Sequence, residues 1–340
     1  MRALDDQVPL AVVGERLCTD LADVTDDPAC LDADGFWAVV VPYDGRPTFA
    51  RFATVRPARP WRGPRWRGPA PSAWRSSLDQ ACFEDGVRRI RSAIEAGDVY
   101  QVNLTRQLSA PVAPDADVAA LGAALAVGNP APYAAVVRVP AAGLHVASAS
   151  PERFLRREGR LVWSSPIKGT AADPDGFLPK DRAENVMIVD LVRNDLGRVC
   201  EFGSVCVPAL LAVEHHPGLV HLVSTVAGEL RAGVGWSELL AATFPPGSIT
   251  GAPKLAAMDV IRELEPVPRG VYCGAVGWVD ADRGIGELNV AIRTFWIDVA
   301  GGPPTLRFGT GAGITHDSDP AGEWAETELK ARTLLAVASG

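Results

Sequence analysis

No two cysteines in this 340-residue chain form a CxxC pair, because Cys18, Cys30, Cys82, Cys200, Cys206 and Cys273 are scattered along it. That spacing excludes a zinc ribbon and a disulfide framework, and the thiols read as reduced. No apolar run is long enough to cross a bilayer, and the opening MRALDDQVPL carries acids where a secretory leader needs a basic stretch. A soluble, cytoplasmic protein with no membrane contact is therefore expected. Excess positive charge is missing too. With 33 Lys and Arg against 41 Asp and Glu the net charge is -8, which leaves no broad basic surface for nucleic acid. An acidic protein that binds an anion must build positive potential locally, from a few Lys or Arg, a metal ion or helix amino termini, so such a site is compact.

What is present is enough apolar material, 47% of the residues, to bury a large core in one big domain or two ordinary ones. Residues 1–76 read as a short strand-rich segment and linker belonging to the same globule. Residues 36–55 form two strands around the turn Tyr43 to Pro47, and Arg56 to Arg75 repeats Pro, Gly, Arg and Trp without a period, as a surface connection does. The main body is 77–340. Phe83, Val87, Ile90 and Ile94 follow helical spacing up to Gly97. From Val99 to Leu108 the period becomes two, with Tyr100, Val102 and Leu104 on one side and Gln101, Asn103 and Thr105 on the other, a polar side suited to lining a site. Strand-like runs follow at 133–139, 144–149, 153–156 and 160–164, and again at 219–230, 271–280, 286–297 and 305–309. Helical patterns stand near 181–196, 236–243 and 252–264, and a last helix starts at about 320, with Asp319 as its cap and Pro320 in its first turn. Strands in hairpin-like clusters with helices between them point to antiparallel sheets in an α+β fold.

Two of these helices carry paired acids, Asp181 with Glu184 and Glu323 with Glu326, each pair three apart and so on one face. By spacing alone such pairs are ordinary solvated helix surface. Magnesium, however, is held by one or two carboxylates plus an anionic substrate group, with bound waters completing its shell, so one acid from each helix would suffice.

The blocks SPERFL (from Ser150), SSPIKGT (from Ser164), DRAENVMIVDLVRNDLGRV (from Asp181), FPPGSITGAPK (from Phe244), RGVYCGAVGW (from Arg269) and GAGI…EWAETELKA (from Gly311) together resemble the chorismate-utilising enzymes, in motif order from about Ser77 onward. The resemblance implies a four-layer α/β/β/α sandwich with two antiparallel sheets packed crosswise. It implies that chorismate is the substrate, with Mg2+ held by Glu184 and Glu326 and outer-shell support from Asp181 and Glu323. Arg293 and Tyr272 match the residues that hold the enolpyruvyl carboxylate, helped by backbone amides of Gly311, Ala312 and Gly313. Thr250, Gly251 and Gln101 fall at further substrate-contacting positions. Glu152 matches the general acid for the leaving C4 hydroxyl, and a buried carboxyl suits that work. His221 matches a histidine beside the ring, although a lone histidine in an apolar strand is as often a satisfied core residue.

Water-adding members of the family carry a lysine where this chain has Gln101, which is no base, so the ammonia-using branch is implied. Within it, anthranilate synthases read PIAGT and aminodeoxychorismate synthases PIKGT, and this chain has Pro166-Ile167-Lys168-Gly169-Thr170. Lys168, read as a loop residue, becomes the implied nucleophile at ring C2, with ammonia then adding at C4. None of the six cysteines sits in a GxCxG-like elbow, so ammonia is expected from a separate glutamine amidotransferase subunit or from solution. An LLES-like segment is lacking, and tryptophan feedback is not expected. An anthranilate synthase subunit with an unusual lysine, or another aminating relative serving secondary metabolism, is the nearest rival, and a non-catalytic scaffold the remoter one.

Overall fold

The computed structural model describes residues 4, 7–171, 173–216, 219–300 and 302–340, with the backbone alone at 170, 179, 216 and 219. The acidic opening of the chain lies partly outside this range. Eighteen described strands join in one continuous hydrogen-bonded ribbon, antiparallel at every pairing. One half of the ribbon runs Gln101–Pro111, Thr305–Ile314, Thr294–Asp298, Leu144–Ser150, Tyr133–Val139 and Leu10–Val13. The other continues through Arg16–Thr25, Thr48–Pro57, Phe36–Val41, Ala275–Asp280, Ile285–Val290, Arg153–Glu158, Leu161–Ser165 and Leu219–Glu229 to the edge strand Cys206–His216. Short strands Arg75–Ser76 and Gly251–Ala252 flank Gln101–Pro111, and Ile167–Ala171 pairs with Leu219–Glu229.

Side-chain alternation shows the ribbon folded back on itself. Ala135, Val137 and Val139 face a core shared with Val39, Val276 and Leu288 of the second half, whereas Val136 faces the other way, toward Leu121 and Leu125. Trp296 likewise joins the inner core while Phe295 and Ile297 point outward. A polar seam crosses between the halves, where the Asn289 amide donates to Tyr133 O at 2.7 Å and Ser150 Oγ donates to Val290 O at 2.6 Å.

Six α-helices among the described residues cover the outer faces: α1 (Gln80–Ala96), α2 (Val118–Gly128), α3 (Pro179–Gly197), α4 (Trp236–Thr243), α5 (Lys254–Leu264) and α6 (Pro320–Ser339). The first half packs against α1, α2, α5 and α6, the second against α3 with α4 beside it, which completes the α/β/β/α order. Their ends follow the sequence cues. Asp319 accepts from the Gly322 amide, Pro320 opens α6, and Gly97 ends α1 at φ 84.

Several expectations are corrected. The helix α2 was not anticipated, because VAALGAALAVG has no polar face to reveal its period. The edge strand Cys206–His216 was missed as well, its period broken by register shifts around Ala209. The single run expected over 286–297 is two strands, parted at Arg293, whose φ is 51. Tyr100 is 69% exposed and precedes its strand rather than joining Val102 and Leu104. The segment before Arg75 grips the end of α6, the Trp66 indole donating to Ala338 O at 2.7 Å and that of Trp74 to Ser339 Oγ at 3.1 Å. All six cysteines are free, and no described helix is long and apolar enough to cross a membrane.

Phe295 is fully buried and stacked on Phe308 with ring centroids 4.6 Å apart. Phe295→Ala is expected to destabilise the fold by about 3–5 kcal/mol, read as a lower urea midpoint at unchanged m-value.

Candidate active site

The strand Thr305–Ile314 turns Gly309, Gly311 and Gly313 to one face and leaves a floor without side chains. Neighbours crowd this floor. A Cβ on Gly309 would stand 2.1 Å from the Tyr272 ring, and one on Gly311 2.6 Å from Leu104 O. One on Gly313 would stand 2.4 Å from Gln101 Nε2, 2.9 Å from Glu184 Oε1 and 3.3 Å from Lys168 Nζ. The span from Gly309 to Gly313 is about 13 Å at strand rise, room for a six-membered ring with a substituent at each end.

Tyr272 closes one end and is buried, which raises its hydroxyl well above the ordinary value. Arg293 lies just before Thr294–Asp298, the strand paired with the floor. Burial lowers its guanidinium pKa, and no described acid stands against it. A half-buried cation with no ion-pair partner among the described residues is costly until an anion reaches it.

Gln101, Glu184 and Lys168 close the other end. Lys168 lies not in a loop but on the strand Ile167–Ala171, whose register against Leu219–Glu229 shifts between Ile167 and Thr170. Gln101 is buried, and its Nε2 donates to Glu184 Oε1 at 3.0 Å. Because an ionised carboxylate only accepts, this bond fixes the amide and leaves Gln101 Oε1 buried without a partner. Glu152 is 4% exposed and lines a small pocket with Ser248 and Asp195. Burial pushes its carboxyl up to about 7, against the opposing pull of the Ser248 hydroxyl, the Lys168 ammonium and the Ile167 amide.

The four helix acids differ in circumstance. Asp181 caps its own helix, accepting from the Leu178 amide at 2.8 Å. Glu323 is buried and accepts from Ser318 Oγ at 2.7 Å; burial raises its carboxyl, with Glu326 adding to the shift. Burial acts upward on Glu326 most strongly of all, yet Lys330 at 2.6 Å, Lys180 and Lys168 together outweigh it, and its pKa is lowered. The charge of Lys168 thus acts on both Glu152 and Glu326. Among the described residues no three of His, Cys, Asp and Glu form a metal-ligand cluster.

The remaining candidates contribute in other ways. Thr250 Oγ1 is spent on Pro246 O at 3.1 Å, and Gly251, at φ 148, lies so close to Gln101 O that a Cβ would fall 2.1 Å away, so this pair offers backbone rather than side chains. Ala312 turns its methyl to the opposite, helix-packed face. His221 is buried in Leu219–Glu229, paired with Thr170 and Glu214. Three residues were missed. Lys330 could have been found four residues after Glu326 on the same helix face, and it also donates to Gly311 O at 3.1 Å. Lys180 and Ser248 carry no such signal.

Two buried ion pairs back the site. Arg269 donates to both oxygens of Glu265, to Ile249 O and to Asn103 O, fastening the Thr250 turn to the Gln101 strand. Lys254 holds Asp195 of α3 at 2.5 Å.

The profile of the chorismate binding enzyme family matches residues 62–336. The chain is 43% identical over 274 residues to anthranilate synthase component 1 of Streptomyces coelicolor, covering 77% of this chain and 52% of that protein. It is 41% identical over 276 residues to aminodeoxychorismate synthase component 1 of Klebsiella aerogenes, covering 78% and 59%. The chain therefore spans between half and three-fifths of the length of these curated relatives. A solved structure described as a putative 2,3-dihydroxybenzoate-specific isochorismate synthase from Bacillus anthracis is similar at a TM-score of 0.79 and 25% identity, covering 98% of both chains.

Gly313→Ala is expected to displace Gln101 and Glu184 and lower kcat/KM by about a hundredfold, with the melting temperature nearly unchanged. For Glu152 the native pKa of about 7 exceeds an ordinary 4.5, so the native state binds more protons between these values and stability falls as pH rises through them. The penalty above pH 7 is on the order of 3 kcal/mol. Glu152→Gln should therefore be more stable than wild type at pH 8 and no more stable near pH 4, as urea midpoints would show. Its rate should drop about 10²–10⁴-fold, and the decline of kcat/KM above about pH 7 should disappear.

Proposed function

The chain belongs to the chorismate binding enzyme family, and from that premise we propose that it replaces the ring C4 hydroxyl of chorismate with ammonia, giving 4-amino-4-deoxychorismate for 4-aminobenzoate and folate synthesis. This is the reaction of an aminodeoxychorismate synthase component I. Ammonia comes from a separate glutamine amidotransferase subunit or from solution. One observation carries the choice: the Lys168 amine stands at the Gly313 end of the bare floor beside Glu184, and its charge acts on Glu152.

Chorismate lies along the floor with its enolpyruvyl carboxylate toward Arg293 and Tyr272. Lys168 first gives up its ammonium proton to water; the free Nζ amine then forms a bond to ring C2 as the double bonds shift and the C4–O bond breaks, and Glu152 donates its proton so that water leaves. Ammonia then bonds to C4, the C2–N bond breaks to release Lys168, and the surplus proton returns to the Glu152 carboxylate. Gln101, with its nitrogen committed to Glu184, takes no proton from water, which favours amination over hydration.

Magnesium suits the donor set. Glu184 and Glu326 offer hard oxygen ligands from two helices, Glu323 stands close behind, and the Lys330–Glu326 contact is half exposed at 50% and 40%, a weak pairing that a divalent ion can replace. When bound, the ion would anchor the ring carboxylate and draw density from the conjugated system. A second reading, an anthranilate synthase subunit, has the 43% identity in its favour and Lys168 against it.

Protein, chorismate, magnesium and ammonium are expected to yield 4-aminobenzoate only after addition of an aminodeoxychorismate lyase. Fluorescent anthranilate formed without the lyase would overturn the assignment. Lys168→Ala should slow C4 amination at least about a hundredfold with the fold intact, and an unimpaired rate would remove the covalent step.

A further inference from the structure

The strand that carries Gln101 also carries a charge where its pattern calls for a hydrophobe. Odd positions Gln101, Asn103 and Thr105 face the site, and even positions Val102 and Leu104 face helix-packed clusters, as Leu108 does farther on. Arg106 occupies the even row and is 3% exposed. Hydrophobic replacement of a buried ion pair is often neutral or stabilising, so bulk stability alone does not account for an arginine there.

Its contacts converge on one short stretch of α6. Nε donates to Thr327 Oγ1 at 3.1 Å, one terminal nitrogen pairs with the Glu328 carboxylate, and the guanidinium carbon lies 4.1 Å from the centre of the Trp324 ring. The other terminal nitrogen donates to Ser76 Oγ at 3.1 Å. Trp324, Thr327 and Glu328 share one helix face by their spacing of three and four, and each of the first two stands one residue after a site acid, Glu323 or Glu326. Thr310 Oγ1, from the floor strand, donates to Thr327 O at 3.1 Å and tightens the same turn.

We propose that Arg106 is a positioning residue that sets the rotation and height of α6, and thereby aims Glu323 and Glu326 at the cation site shared with Glu184. A planar fork with a stacked face constrains both coordinates at once, which a point charge cannot do. Gln101, five residues earlier on the same strand, holds Glu184 directly. One strand therefore registers both halves of the acid pair, from its two faces. The inference rests on the magnesium reading given above and adds to it the group that aligns the ligands.

The test is calorimetric titration of magnesium into the full chain, wild type beside Arg106→Lys and Arg106→Met, with urea midpoints measured in parallel. Arg106→Lys keeps the charge and loses the fork, Arg106→Met keeps the packing, and both are expected to raise the Kd for magnesium about 10–100-fold. Should a buried substitution impair folding, Glu328→Gln changes only a half-exposed partner and should raise the Kd about threefold. Wild-type affinity in both Arg106 variants, or its restoration by lysine, would overturn the positioning role. Failure of wild type to bind millimolar magnesium would instead sink the metal reading itself.

Discussion

Groups of opposite charge from separate layers can converge on one point only if the backbone there is bare, and Gly309, Gly311 and Gly313 meet that condition. Three alternate residues without side chains leave a trough in a sheet that is otherwise tightly filled. Tyr272 closes one end, and Gln101, Glu184 and Lys168 the other. The acids of α6 follow ten and thirteen residues after the last of these glycines, while those of α3 approach from the second sheet's side.

Convergence of charge in a buried place needs support, and the surroundings supply it as fully bonded ion pairs. Arg269 spends four donors on Glu265 and two backbone carbonyls, and Lys254 joins Asp195 of α3 to the start of α5. Removing one partner of such a pair leaves a buried charge and costs about 3–5 kcal/mol. These pairs explain how the site can hold Lys168, Arg293 and several carboxylates without collapsing into mutual neutralisation. The contact between Glu326 and Lys330 is different in kind, since it is half exposed and open to exchange.

Much of this was legible in the residues because local rules and tertiary demands agree there. Asp319 and Pro320 start α6, its acids recur at three, and Gln101 falls on the polar side of a period-two strand. Legibility failed where a second layer covers what would otherwise be a polar face. The helix α2 is apolar all round, with Gly122 pressed against Val136, and so shows no stripe. Pro166 and Gly169 interrupt the alternation around Lys168, whose strand exists through its pairing with Leu219–Glu229 and not through its own pattern. Lys330 becomes meaningful only once Glu326 is known to face the site. The geometry of Arg293 depends on a left-handed backbone at a non-glycine residue, which no propensity announces.

The ribbon's strand order has a consequence for biogenesis. Phe36–Val41 is synthesised long before its neighbour Ala275–Asp280. With about 230 residues between them and translation at about 5–20 residues per second, one edge of a strongly apolar strand stays open for on the order of ten to fifty seconds. The nascent chain is thus sticky throughout that interval, and its yield in the cell depends on whatever shields that edge until the partner strand emerges.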